Sequence, residues 1–232
     1  MNLLITGASR GLGYEMAAAA LERGHSVIAG TRSLDVKSSK LSLLEDKYGP
    51  RLHIVPLDVT DEQGIASLAS ILNKEGTKLG AIVNNAGILT ARSTPIEELD
   101  MQQVAKTFEV NLYGPMRVLK HFLPLMTETD AAIINISSEA GSISNAYPGD
   151  YPYAISKSAL NMFTAQLRSL LKDQDIQVLS VHPGWMKTDM GGEDAPTSAG
   201  ESAAGILDLI ERKVVPKTKF NFVDYSGNEM PI

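Results

Sequence analysis

The chain has 232 residues, 44% of them hydrophobic and 21% charged, a net charge of −6 and no cysteine. That length suits one α/β domain with a substantial core spanning 1–232, and the acidic balance argues against nucleic acid or an anionic membrane surface as a general partner. Without cysteine, disulfides, thiol catalysis and cysteine-held metals are excluded; no apolar run reaches the length of a membrane span or a signal-peptide core, so a cytoplasmic location is expected.

Asn2-Leu3-Leu4-Ile5-Thr6 is a short apolar run and reads as a buried first strand. Gly7-Ala8-Ser9-Arg10-Gly11-Leu12-Gly13 follows at once, and 15–23 is Ala-rich and helical, closed by Gly24 as a C-cap. A strand, a glycine turn and a helix are the setting in which a dinucleotide pyrophosphate binds. Glycine lets the backbone approach, and the helix N-terminus offers unpaired N–H groups and a partial positive charge. The spacing is Gly-x-x-x-Gly-x-Gly rather than the commoner Gly-x-Gly-x-x-Gly. The second strand, 25–31, ends in Thr31-Arg32, where a dehydrogenase preferring the non-phosphorylated cofactor carries a carboxylate for the ribose hydroxyl. Arg32 and Arg10 can together meet a 2′-phosphate, so NADP(H) is expected over NAD(H).

Helix 41–48 is closed by Gly49-Pro50, strand 52–57 leads into Asp58-Val59, and Asp61 caps a helix reaching position 75. Strand 81–83 ends in Asn84-Asn85-Ala86-Gly87, where small residues let the backbone lie close to a flat ligand. Asn84 there is either a turn former or a positioner of the loop. A helical stretch over 101–123 contains Asn111, a poor helix-interior residue, and Pro115, which suggests a kink. Strand Ala131–Ile136 is followed by Ser137-Ser138-Glu139-Ala140-Gly141, hydroxyls just past a strand's C-terminal end, where α/β sheets bind ligands. A turn-rich loop at 142–152 leads to the helix of Tyr153, and strand 176–181 ends in His182-Pro183-Gly184. The stretch 185–201 reads as a long loop of the kind that forms lids. Helix 203–212 and strand 219–223 close the chain. Strands alternating with helices argue a single Rossmann-type, doubly wound parallel sheet of about seven strands with helices on both faces.

Tyr153 and Lys157 lie four positions apart in Tyr153-Ala154-Ile155-Ser156-Lys157 and so share one helix face. Leu160, Phe163, Leu167 and Leu171 continue the helix as an apolar stripe. An ammonium beside a phenol favours the phenolate and brings its pKa down, and such a phenol can exchange a proton with a carbonyl or alcohol oxygen. That is half of a hydride-transfer reaction, and the glycine turn would hold the other half. His25, His53, His121 and His182 show no metal-binding spacing. Glu97, Glu98 and Asp100 read as a solvated helix start, and Trp185 either walls the substrate site or belongs to the core.

Taken together, Thr6 to Gly13, Asn84-Asn85-Ala86-Gly87, Asn111, Ser138, the Tyr153–Lys157 pair and Pro183-Gly184 resemble the classical short-chain dehydrogenases/reductases over nearly the whole chain. Within that family, Ser137 to Ser142, Ser156 to Asn161 and His182 to Gly192 look like the C-factor/Sniffer-like carbonyl reductases. The resemblance implies an NADPH-dependent reduction of an aldehyde, ketone or quinone. Tyr153 would be the proton donor and Lys157 would lower its pKa and bind the nicotinamide ribose. Ser138, rather than Ser137, would hydrogen-bond the substrate oxygen, and Asn111 would hold a water linking Lys157 to solvent. It implies cofactor contacts at Gly7, Ser9, Arg10, Gly11, Leu12, Gly13, Arg32, Asp58, Val59, Asn84, Ala86, Gly87, Tyr153, Lys157, Pro183, Gly184, Met186 and Thr188, with Asp58 and Val59 bordering the adenine. The substrate pocket would be made by 143–151 and the 185–200 loop, with Tyr147 and Tyr151 as pocket residues. A homodimer or homotetramer paired through the helices around Asn111 and Tyr153 is the implied assembly. The second reading is a nucleotide-sensing or signalling protein on the same fold, against which the complete Asn111, Ser138, Tyr153 and Lys157 set argues.

Overall fold

In β1 (Asn2–Thr6), Leu3 and Ile5 enter one apolar core and Leu4 the other. A strand buried on both faces has no polar side to present to water, which is why it reads as a continuous apolar run. The computed structural model describes residues 1–32, 40–127 and 129–232. β2 (Ser26–Thr31), β3 (Leu52–Pro56), β4 (Ala81–Asn84), β5 (Ala131–Ile136), β6 (Ile176–His182) and β7 (Phe222–Asp224) join β1 in the order β3-β2-β1-β4-β5-β6-β7. Every pairing is parallel. α1 (Gly11–Glu22), α2 (Lys40–Tyr48) and α7 (Ala199–Ile210) cover one face through residues such as Met16, Leu41 and Ile206. α3 (Glu62–Lys74), α5 (Gly114–Phe122) and α6 (Tyr151–Leu170) cover the other through Ile65, Phe122 and Leu167. This is the expected doubly wound sheet. Its order reverses between β1 and β4, so the crevice for a ligand lies beyond the C-terminal ends of those strands.

Four element boundaries differ from the sequence expectation, each for a local reason. α1 starts at Gly11, inside the glycine turn, rather than at 15. The expected helix over 101–123 is α4 (Met101–Phe108), a π-turn (Glu109–Tyr113) and α5. Pro115 sits in the first turn of α5, where its missing N–H costs nothing, so the break precedes the proline and carries Asn111. α7 begins at Ala199 because the Ser198 hydroxyl accepts the Glu201 N–H at 3.1 Å, a capping arrangement that shortens the loop. β7 is displaced toward Asp224 because Thr218 Oγ1 accepts from the N–H groups of Phe220 (3.2 Å) and Asn221 (2.8 Å), holding that stretch as a turn.

Candidate active site

The glycine turn and the turn after β4 form one hydrogen-bonded unit. Thr6 Oγ1 accepts from the N–H of Asn85 and of Ala86, each at 3.0 Å. Asn85 Nδ2 donates to the carbonyls of Thr6 (2.9 Å) and Gly7 (3.2 Å). Gly7 and Gly11 hold φ of 67 and 54, and a Cβ on Gly13 would lie 2.3 Å from the Gly7 oxygen. Arg10 precedes α1 in extended backbone with no side-chain cap, and the first turn of α1 holds no acidic residue. Its N–H groups therefore keep no side-chain acceptor, which is the cradle an anion needs. Sequence reasoning passed over Thr6 and Asn85 as working residues. The available signal was a hydroxyl closing an apolar strand and a second Asn among small neighbours.

Around this cradle the expected cofactor residues are placed unevenly. Ser9, Arg10 and Arg32 are exposed, Arg32 at the end of β2. Arg10 is ion-paired with Asp189 at 2.7 Å. Leu12 belongs to the core, so only its backbone is available to a ligand. Asp58 Oδ1 accepts from Thr60 N–H (2.9 Å) and Thr60 Oγ1 (2.7 Å). Val59, expected beside the adenine, has its side chain in the core, where a Cβ on Gly114 would meet it at 2.9 Å, so its backbone is what it offers a ligand. Asn84 also points inward: Nδ2 donates to Asn135 Oδ1 at 2.8 Å, and its own Oδ1 is buried with no partner among the described residues. It is a positioner of β4 on β5, and the loop itself is fixed by Asn85.

Ser138, Tyr153, Lys157 and Asn111 converge at the C-terminal ends of β4 and β5. Tyr153 and Lys157 stand one turn apart on α6, with Lys157 Nζ 5.6 Å from the centroid of the phenol ring. The Ser138 hydroxyl favours the phenolate and accepts the Ala140 N–H at 3.2 Å, while Ser137 is buried and donates to Asn161 Oδ1 at 2.6 Å. Of the two serines, Ser138 is thus the one on the reacting side. The phenol's pKa stands above its ordinary value, because burial raises it more than the Ser138 bond and the charge of Arg92 lower it; Asp150 adds to the rise. Lys157 is buried, donates to the Ile136 carbonyl at 2.6 Å, and burial brings its own pKa down to about 8. Asn111, in the π-turn, accepts the Ile88 N–H (2.9 Å) and donates to the Ile88 carbonyl (2.9 Å) and Ser156 Oγ (3.1 Å). Its amide ties the segment past Gly87 to α6. A Cβ on Gly87 would come within 3.7 Å of Lys157 Nζ, so glycine keeps the space between cradle and ammonium open.

The rim is built from two loops. Thr188 packs over Gly11, where an added Cβ would meet its methyl group at 3.6 Å, and Thr188 Oγ1 accepts the Gly191 N–H at 3.2 Å. Met186 pairs with Thr197 in an isolated parallel bridge, Gly184 takes φ 83 beneath Thr197, and the Pro183 carbonyl accepts from Ser202. Trp185 is 53% exposed with Nε1 donating to the Gly191 carbonyl at 2.7 Å, which settles it as rim and not core. Tyr147 donates to Asp150 Oδ2 at 3.2 Å, and burial, then Asp150, push its pKa up to about 12. Tyr151 opens α6. His182 Nδ1 accepts the Glu139 N–H at 3.2 Å, and burial lowers its pKa; it steadies the Ser138 turn. Arg92, passed over in the sequence, donates to the Met190 carbonyl at 2.9 Å across the cleft.

A family model described as short chain dehydrogenase matches residues 1–199. The chain is 35% identical to C-signal of Myxococcus xanthus over 152 residues, 65% of this chain and 90% of that protein. The solved structure of the carbonyl reductase Sniffer of D. melanogaster superposes with a TM-score of 0.89 at 33% identity, covering 100% of this chain and 99% of the other. That of the NADPH-bound carbonyl reductase from chicken fatty liver gives 0.86 at 31% identity, covering 100% and 98%.

Proposed function

We propose that this chain, which belongs to the short-chain dehydrogenase family, reduces an aldehyde, ketone or quinone to an alcohol with NADPH. The observation that carries the reading is the Tyr153 phenol one helical turn from a buried Lys157, whose Nζ lies 5.6 Å from the ring centroid, with the Ser138 hydroxyl acting on the same phenol. A serine hydroxyl and a phenol that act on each other also mark where a carbonyl oxygen can accept from both. The residues present fit the cofactor: positive-φ glycines, an α1 N-terminus without a side-chain cap, and two arginines, Arg10 just before α1 and Arg32 at the end of β2. When bound, the nicotinamide supplies the hydride. Tyr153 gives its proton to the carbonyl oxygen as negative charge develops there, and Ser138 donates a hydrogen bond to the same oxygen. Lys157 moves from the Ile136 carbonyl toward the ribose, and its charge then favours the phenolate left behind. The backbone of Gly7, Ser9, Gly11, Leu12 and Gly13 takes the pyrophosphate; Arg10 and Arg32 take the 2′-phosphate, Arg10 by leaving Asp189. Asp58, Ala86 and Gly87 line the adenosine and ribose side, and Pro183, Gly184, Met186 and Thr188 the nicotinamide side.

Support for the phosphorylated cofactor comes from this charge complementarity and from the NADPH-bound chicken reductase. The test is NADPH oxidation, with NADH in parallel, over small quinones, diketones, aldehydes and ketones. Turnover with NADPH well above that with NADH supports the reading, and binding of NADPH without turnover on the panel overturns it. In that case the similarity to C-signal would favour a nucleotide-dependent signalling role. We place the protein in the cytoplasm; no helix among the described residues is long and apolar enough to cross a membrane. We also propose a homodimer or homotetramer paired through α5 and α6, whose outer faces expose Tyr113 at the edge of α5, Met116, Ile155 and Met162. Sedimentation as a monomer at micromolar concentration would count against it.

A further inference from the structure

Arg92 sits in the turn after β4 and reaches across the cleft to the Met190 carbonyl, 2.9 Å away on the opposite rim. Its neighbours Ala91 and Ser93 both take left-handed backbone, φ 51 and 56, a conformation that persists in non-glycine residues only where the surroundings over-determine it. Part of that restraint is visible: the Ser93 N–H donates to Asp150 Oδ1 at 3.1 Å. The other oxygen of Asp150 accepts from Tyr147 at 3.2 Å. Asp150 is therefore occupied at both oxygens, and Asp189, next to Met190, is paired with Arg10. Arg10, Arg23, Arg117 and Arg212 are paired with carboxylates, whereas the hydrogen bond described for Arg92 is to a backbone oxygen. A guanidinium has five N–H donors in a planar fork that matches a carboxylate or sulfonate. Asp150, which holds the Ser93 N–H, is the residue before the helix of Tyr153, so this turn is tied to the start of the reacting helix.

We propose that Arg92 is a specificity-determining residue that selects carbonyl substrates carrying an anionic group, a carboxylate or a sulfonate; this rests on the reductase reading above. The anion takes the free side of the guanidinium while the Met190 contact closes the rim over it. A neutral carbonyl compound gains nothing from the exposed charge of Arg92 and is the poorer substrate.

The test compares 4-formylbenzoate with its methyl ester, using NADPH turnover by the full chain. Wild type favours the carboxylate, and Arg92→Met lowers kcat/KM for the carboxylate at least about tenfold more than for the ester, chiefly through KM. Arg92→Lys keeps part of the preference, since the charge remains while the fork is lost. Equal losses on both compounds would make Arg92 a clamp for the rim and overturn the proposal, as would a wild-type preference for the ester with the reductase reading intact. If neither compound turns over, the reductase reading fails on this pair and Arg92 is still decided by titrating the NADPH-loaded protein with benzoate and with benzamide. Tighter benzoate, weakened by Arg92→Met, upholds it; equal affinities overturn it.

Discussion

The floor of the site and its rim are held together by different physics. Beneath the reacting groups, Asn84 donates to Asn135 (2.8 Å), Asn135 to Thr164 (2.9 Å), Thr164 meets Ser180 (3.1 Å) and Ser180 donates to Asn161 (2.8 Å), all of them buried. Asn161 also accepts from Ser137, immediately before Ser138. The rim hangs on Arg10–Asp189, with side chains 72% and 75% exposed, and on the Arg92 and Trp185 bonds to backbone oxygens. Buried bonds have no water to replace them and fix geometry; exposed ones exchange with solvent and contribute little. The reacting groups therefore sit on rigid elements while the surface that meets the substrate is free to adjust, so chemistry and selectivity are separable in this molecule.

The sharpest way to break that comparison is at the floor. Tyr153→Phe is expected to lower kcat about 10²–10⁴-fold, the share of a general acid, while NADPH still binds by fluorescence titration; a loss under about tenfold would move the proton donor elsewhere. Lys157 provides the next effect. Its pKa of about 8 lies below the ordinary 10.5 because it is buried. Below about pH 8 it is charged in both states and its burial opposes folding; between about 8 and 10.5 the unfolded chain binds the extra proton, so stability rises with pH. Relative to Lys157→Met, wild type should gain up to about 3 kcal/mol across that window in denaturant titrations. A flat difference would mean the ammonium is not buried in solution.

Thr164→Val cuts the buried chain in the middle and leaves Asn135 Nδ2 without its acceptor. It should cost about 1–3 kcal/mol of stability, and a neutral result would mean that the floor is not held by this chain. The smallest effect belongs to the rim. Asp189→Asn should change stability by less than about 0.5 kcal/mol. Because it frees Arg10, it should lower KM for NADPH; a raised KM would mean Asp189 itself helps hold the cofactor.

Where the relevant interaction is short-range in the chain, the sequence was legible. The glycine turn follows β1 directly, and Tyr153 and Lys157 share a face because a helix repeats every 3.6 residues. The resemblance chose Ser138 over Ser137, and the physical reason lies in the packing: adjacent residues at a strand end point to opposite sides, and Ser137 is buried against Asn161 of α6. Asn111 illustrates the same boundary. Its presence in a helical stretch was odd in the sequence, but a π-turn that aims its amide at Ile88 and Ser156 depends on groups 23 and 45 positions away. Arg92 carried no local signal at all.

By itself the sequence determined a parallel α/β sheet, a nucleotide cradle at its first turn and a Tyr–Lys pair on one helix, since each follows from apolar runs, glycine freedom and helical period. Tertiary structure alone decided that Lys157 bonds to Ile136, that burial raises the phenol's pKa, that the Val59 side chain packs in the core and that Arg92 reaches Met190. Solvent exclusion and the distance between charges set these features, and both arise only when remote segments pack together.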